Sequence, residues 1–400
     1  MREGWDRAGY KDTAGARAVV WAGCNGGGRA AIFRPMSIRL LYLCGTALLA
    51  LANPLGVGAQ APAASPLPYR NLVLEGGGIR GIAYGGALQE LESRGVLAHL
   101  ERVGGTSAGA IQAALLAVGY SAQEIIDVVN ATPVQRLNDG RFIFFGGTHR
   151  LVKQYGWYRG DEFSAYLSEL VARKTQRPHL TLGELHALAQ AQPGRYRDLY
   201  TTGTNLTTQR AQVFSHETNP TMRVADAVRI SMSIPLYFRA VLLDGQNNVI
   251  TGSPAPGQPV QVLVDGGLLA NYPLDLFDKP RYLPAGLAAT ARPDARGNVY
   301  NPETLGLRLD RAEQIACDTT ATGRQQLAPY AVTDFNSYVG ALYTVALENL
   351  NPVAAADWQR TISINFLGFS PKIKRISAAQ KQQLMASGRA GVQAFFKTRN

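Results

Sequence analysis

Residues 101–118 read ERVGGTSAGAIQAALLAV, and the fold turns on them. At their centre is Gly105-Thr106-Ser107-Ala108-Gly109, a G-x-S-x-G pattern of the kind that holds a nucleophilic serine on a sharp turn between strand and helix. Glu101 to Gly104 leads into it as a short strand. Ala108 to Val118 is apolar nearly all round, as a helix enclosed in a core is. Earlier in the chain the same alternation occurs. Asn71-Leu72-Val73-Leu74 is an apolar run readable as a buried strand, and it ends in Glu75-Gly76-Gly77-Gly78-Ile79-Arg80-Gly81. A helix is expected from Ile82 to about Arg94, because Ala83, Ala87, Leu88 and Leu91 fall at helical spacing and Gly95 makes a stop. Strand, glycine turn, helix, strand, serine turn, helix predicts an α/β fold with a largely parallel sheet.

Further along, residues 120–225 read as helices and loops over that sheet. Phe142-Ile143-Phe144-Phe145-Gly146-Gly147 fits a lid or a membrane-touching loop, and equally a buried segment. Asp198 to Asn205 and Gln212 to Ser215 suggest a strand pair. Val260 to Val264 is a strand by its β-branched pattern and ends in Asp265-Gly266-Gly267. Gly245 to Gly257 is a surface loop, Thr361 to Phe366 alternates like a late strand, and Ser377 to Phe396 is a closing amphipathic helix.

The first part of the chain has a different character. Residues 1–35 carry no fold signal and read as an upstream extension. Residues 36–61, MSIRLLYLCGTALLALANPLGVGAQA, place Arg39 before an apolar run from Leu40 to Ala52 and close on Ala59-Gln60-Ala61. That is the layout of a secretory signal peptide, so export to a periplasmic, envelope-associated or secreted location is expected. Residues 62–68 form a Pro/Ala linker, and residues 69–400 are expected to form one domain. The whole chain has a formal charge of +11; residues 1–61 hold seven Lys/Arg and three Asp/Glu, so +7 remains without them. A mild, dispersed excess fits an anionic membrane surface and fits a soluble basic protein as well. With no Lys/Arg run and no zinc-finger or helix-turn-helix spacing, nucleic acid is not an expected partner. Cys317 alone remains after residue 61, which leaves no internal disulfide.

A serine nucleophile needs a base, usually histidine. Histidine occurs at 99, 149, 179, 186 and 216 and nowhere later. Any carboxylate from Asp226 onward is therefore followed by no histidine, and no Asp lies between Pro62 and Ser107. Asp198 with His216 fits the Ser–Asp–His order, but nothing around either residue recommends it. Asp265 offers another answer. A carboxylate within reach of Ser107 can take its proton directly, provided burial tunes its pKa; the plain alternative is a strand-end turn. The glycines at 76–78, with Gly81, are read in two ways. They match a dinucleotide fingerprint with Glu101 as the ribose acid, although GGTSAG follows Glu101 so closely that an adenosine pocket has little room. They also suit backbone N–H groups aimed at an oxyanion, with Arg80 adding positive charge.

Taken together, EGGGIRG, GGTSAG and DGGLLANYP (265–273), in this order, resemble the patatin-like phospholipases. The stretches 156–161 (GWYRGD), 180–185 (LTLGEL), 201–208 and 227–237 (AVRISMSIPLY) are similar to the same family. The resemblance spans about Tyr69 to Phe396. It implies a three-layer α/β/α sandwich and a Ser–Asp dyad with Ser107 as nucleophile and Asp265 as base. It implies Gly76, Gly77 and Gly78, with Arg80, around the oxyanion, and Gly81, Gly105, Gly109, Gly266 and Gly267 as motif glycines. The expected activity is hydrolysis of acyl esters in phospholipids or other glycerolipids, with peripheral membrane contact. No cofactor is expected, and no metal, since neither a calcium loop nor a histidine cluster is visible. The alternatives are a carboxylesterase or thioesterase acting on soluble acyl groups, and a catalytically silent lipid-binding protein.

Overall fold

Hydrogen-bond pairing gathers eight short strands into one sheet. The structure is a computed structural model that describes residues 69–398 apart from 133–137, 141–144, 321–325, 336, 339–340, 343, 346–354 and 372–374. The expected extension, signal peptide and linker lie outside the described residues, as do Phe142, Ile143 and Phe144. The sheet contains β1 (Asn71–Leu74), β2 (Arg102–Gly105), β4 (Asp198–Asn205), β5 (Arg210–Phe214), β7 (Val241–Leu243), β8 (Gln261–Asp265), β9 (Thr304–Asp310) and β10 (Thr361–Asn365). Its order is β10-β9-β1-β2-β4-β8-β7, with β5 also on β4. The five strands from β10 to β4 are mutually parallel, whereas β8 and β5 run antiparallel to β4. A separate parallel pair joins β3 (Gly156–Tyr158) to β6 (Leu236–Phe238).

One detail of register positions the chemistry. Gly105 of β2 pairs with Thr201 of β4, and Asp265 of β8 pairs with Gly203 of β4. Thr201 also pairs with Phe214 of β5. A strand has two edges, so β5 takes one and both β2 and β8 share the other. They approach along it from opposite directions, and their carboxyl ends meet two positions apart.

The helices include α1 (Ala83–Ser93), α2 (Ala108–Ala117), α3 (Ala122–Ala131), α4 (Phe145–Gln154), α5 (Asp161–Thr175), α6 (Leu182–Ala191), α7 (Val224–Ser231), α8 (Ala285–Ala288), α9 (Ala312–Asp318) and α10 (Ala378–Lys397). Capping boxes start three of them: Ser121/Glu124, Thr181/Glu184 and Ser377/Gln380, each side chain reaching the other's backbone N–H. Such caps are worth about 1 kcal/mol each. Alternation splits the sheet's side chains between two cores. Leu72, Leu74 and Val103 face the larger one with α1, α2, α5, α7 and α10. Val73 and Tyr200 face a thinner one built from Tyr272, Leu274, Phe277 and Tyr282. The second face is thus covered largely by short 3-10 turns at Leu274–Phe277 and Pro280–Tyr282. Leu72, Leu74, Leu88 and Leu91 are fully buried, at about 1.5–3 kcal/mol apiece. Among the described residues, no helix is long and apolar enough to cross a membrane.

The expected strands at 71–74, 198–205, 260–264 and 361–366 and the helices at 82–94, 108–118 and 377–396 form within one or two residues of their predicted ends. The interior strand β9, next to the edge strand β10, is absent from the sequence expectations. Its TLGLRLD carries Arg308 and Asp310, yet all seven residues are buried. The two charges pair with each other at 3.1 Å inside the fold, which lets a charged sequence occupy a buried interior strand.

Candidate active site

Ser107 stands between β2 and α2 with φ 52° and ψ −119°. That is the left-handed side of the map, where a residue with a Cβ is strained by about 1–3 kcal/mol. Its backbone N–H donates to Ser231 Oγ at 3.0 Å and its carbonyl accepts from Ile111 N–H at 3.1 Å. Gly109 permits the turn, because a Cβ there would run into the Leu74 carbonyl oxygen. Gly105 sits equally tight against Gly109 and Leu74, and Gly81 packs against Ala108.

Asp265 approaches from the facing strand end. Its N–H donates to the Ser233 carbonyl at 2.9 Å, and its Oδ1 accepts the Gly267 N–H at 2.7 Å. Burial raises the carboxylate's pKa to about 7, while the Gly267 N–H and the Ser107 side chain pull against that rise. A carboxylate tuned this way is a far stronger base than an exposed one. Gly266 lies flush against Thr202. Thr202 Oγ1 meets Thr106 Oγ1 at 2.5 Å, and both hydroxyls reach the Ala270 carbonyl. The two threonines thereby tie the serine turn to the Asp265 loop.

The glycine turn lies beside this pair. Gly76 faces Ser107 Cβ, and Gly78 takes φ +55° under the Pro371 carbonyl, a position no side chain can share. The Gly76 N–H is committed to the Asn271 carbonyl at 3.0 Å, whereas the Gly77 and Gly78 N–H groups make no hydrogen bond among the described residues. Arg80 reaches a later part of the chain. Its Nε donates to the Phe369 carbonyl at 2.7 Å and its guanidinium lies 3.7 Å over the Phe366 ring. It pins the glycine turn to the end of β10.

Asn271 was not singled out in the sequence, although it lies in DGGLLANYP. Its Nδ2 donates to both Glu75 Oε1 and the Gly76 carbonyl at 3.2 Å, and Glu75 Oε2 accepts the Leu309 N–H at 2.6 Å. This clamp holds the glycine turn against the Asp265 loop. Asn271→Ala is expected to lower kcat by about 10-fold or more, since positioning by about 1 Å is worth that much, with Asp265's pH profile unchanged. A pH–rate series on the variant checks it.

An apolar cavity of about 160 Å³ opens at Ser107. Ile111 and Leu115 of α2, Phe163 and Leu167 of α5, and Met232 and Phe238 are among its walls.

The Asp198–His216 pair of the Ser–Asp–His reading does come together, but not here. Asp198 pairs in register with Arg102, five residues before Ser107, so roughly 16 Å of strand separates the two ends. His186 joins it there, its ring stacked on that of His216 at 3.8 Å. The sequence reading found no histidine cluster; the fold builds one from three separate elements.

A family model described as patatin-like phospholipase matches residues 72–278. YqhO of Bacillus subtilis (strain 168), an uncharacterized protein, is 34% identical over 243 residues, covering 58% of this chain and 76% of the Bacillus protein. The probable lipid hydrolase 463L of Invertebrate iridescent virus 6 is 25% identical over 215 residues, 54% of this chain and 65% of the viral one. Among solved structures, VipD from Legionella pneumophila shares the fold with a TM-score of 0.53 at 17% identity, over 83% of this chain and 67% of that one.

Proposed function

The chain belongs to the patatin-like phospholipase family and is a lipid acyl hydrolase; on that premise we propose that Ser107 is its nucleophile and Asp265 its general base. The observation that carries this reading is the buried Asp265 carboxylate, raised to a pKa of about 7, at a strand end that faces Ser107, which itself lines an apolar cavity. Asp265 takes the Ser107 proton as Oγ attacks the ester carbonyl. The oxyanion is received by the Gly77 and Gly78 N–H groups and by the N-terminus of α2, whose dipole favours negative charge there. Gly76 and Arg80 act by holding this turn in place. Collapse expels the alcohol with the proton from Asp265. Water, activated by the same carboxylate, then frees the fatty acid from acyl-Ser107.

The cavity is smaller than the roughly 300 Å³ of a typical small-molecule pocket, which suits part of one acyl chain, with the rest of the lipid outside. Apolar side chains beside it support peripheral membrane contact. Leu236 is 68% exposed and Val152 66% exposed, and Leu236 pairs with Gly156 next to the exposed Tyr155. Ile234 and Phe238, flanking Leu236, line the cavity itself. Export through residues 36–61 belongs to the same proposal and is supported by their basic, apolar and A-x-A layout.

Fatty-acid release from phospholipid vesicles and from a soluble short-chain ester tests the substrate class. Leu236→Asp is expected to reduce release from vesicles about 10-fold and leave the soluble ester within 2-fold, since exposed apolar side chains mark such contacts. Cleavage of the soluble ester alone by the unaltered chain would point to a carboxylesterase instead.

A further inference from the structure

The cluster at the far end of β4 joins residues from three elements. His186 projects from α6, Asp198 begins β4, and His216 follows β5. His186 Nδ1 lies 2.8 Å from Asp198 Oδ1, and His216 Nδ1 lies 3.8 Å from the same oxygen. One ligand atom from each residue falls within 4.8 Å of the others. His216 Nδ1 is buried and has no hydrogen-bond partner, an arrangement that a folded chain normally avoids. We propose that His186, Asp198 and His216 bind a divalent transition metal of the zinc type.

Two imidazoles and one carboxylate suit zinc, whereas calcium and magnesium prefer all-oxygen shells. Tetrahedral zinc, with ligands at about 2.0–2.2 Å, sets its ligand atoms about 3.3–3.5 Å apart. The observed separations bracket that spacing, and to admit the ion the two stacked rings, now within 6° of parallel, must turn so that it lies in the plane of each. Asp198 is itself buried, and its backbone N–H is fixed to the Glu101 carbonyl at 2.9 Å. Arg102 is a positive charge that opposes a cation here, and its guanidinium is drawn off to Asn71 at 3.2 Å and Glu101 at 3.3 Å. Glu217 is engaged by the hydroxyls of Tyr200 and Tyr282. Three protein ligands leave a fourth position for water.

Ser107 and Asp265 lie at the other end of the strands, so the ion takes no part in acyl transfer. It clasps α6 to the β4–β5 edge of the sheet. The inference stands whether or not the dyad reading does.

Zinc binding to the full chain, measured by competition with a chromophoric chelator, tests it, with cobalt absorption and melting temperature as second readouts. One equivalent is expected to bind at micromolar free zinc, with visible tetrahedral cobalt bands and a raised melting temperature. His186→Ala or His216→Ala should weaken binding at least 100-fold and remove both signals. The double variant controls for zinc held by Cys24, Cys44 or the other histidines. Binding by the unaltered chain no tighter than by the double variant, or a melting shift that survives in that variant, would overturn the proposal.

Discussion

Ser107→Ala is expected to cut fatty-acid release by about 10⁴-fold or more, as loss of a serine nucleophile does when the residue acts as part of a unit. The strained backbone at φ 52° is held by α2, by Ser231 and by the glycines around the turn. None of these contacts uses the hydroxyl, so the variant should melt close to the parent and still bind lipid vesicles. Rate assays beside thermal melts read both quantities. Hydrolysis within 10-fold of the parent would remove Ser107 from the chemistry.

The second large effect belongs to Asp265. Asp265→Asn removes the base and leaves a side chain of the same shape, with an expected loss of about 10²–10⁴-fold. Because the carboxyl titrates at about 7, kcat/KM of the parent should rise with pH through about 7 and level off above it. Below that value the group is protonated and cannot accept the serine's proton. Stability runs the other way. The folded pKa lies above the unfolded value of about 3.9, so between about pH 4 and 7 the folded chain holds a proton that the unfolded chain has lost. Stability present below pH 4 is lost as pH rises through 7. The Asp265→Asn variant carries no such cost and should melt above the parent at pH 8 while being far less active. A variant that melts lower at pH 8, or a parent whose rate is flat from pH 5 to 9, would contradict the assignment of the buried carboxylate.

Much of this site was legible in the sequence because its signals are local. A strand ending in glycines, and a serine flanked by glycines before a helix, can be read within ten residues. The pairing direction of β8 could not be read that way. Both Ser107 and Asp265 were expected at strand ends, but a parallel sheet alone does not bring two such ends face to face. The antiparallel run of β8 on the edge it shares with β2 does so. Arg80 is placed by its position in the motif, while its contacts with Phe366 and Phe369 lie almost the whole domain away in sequence. Strand β9 was hidden by Arg308 and Asp310, whose pairing only the folded state supplies. The histidine cluster escaped for the same reason: His186, Asp198 and His216 follow no ligand spacing along the chain, and α6 and the β4–β5 pair assemble them.

The most direct measurement is acid quenching of the chain during turnover of an acyl ester, followed by mass analysis of its peptides. One acyl group is expected, on the peptide carrying Ser107, absent from Ser107→Ala and formed far more slowly in Asp265→Asn. Steady product release with an acyl group on another residue, or with none trapped on Ser107 under any quench time, would contradict it.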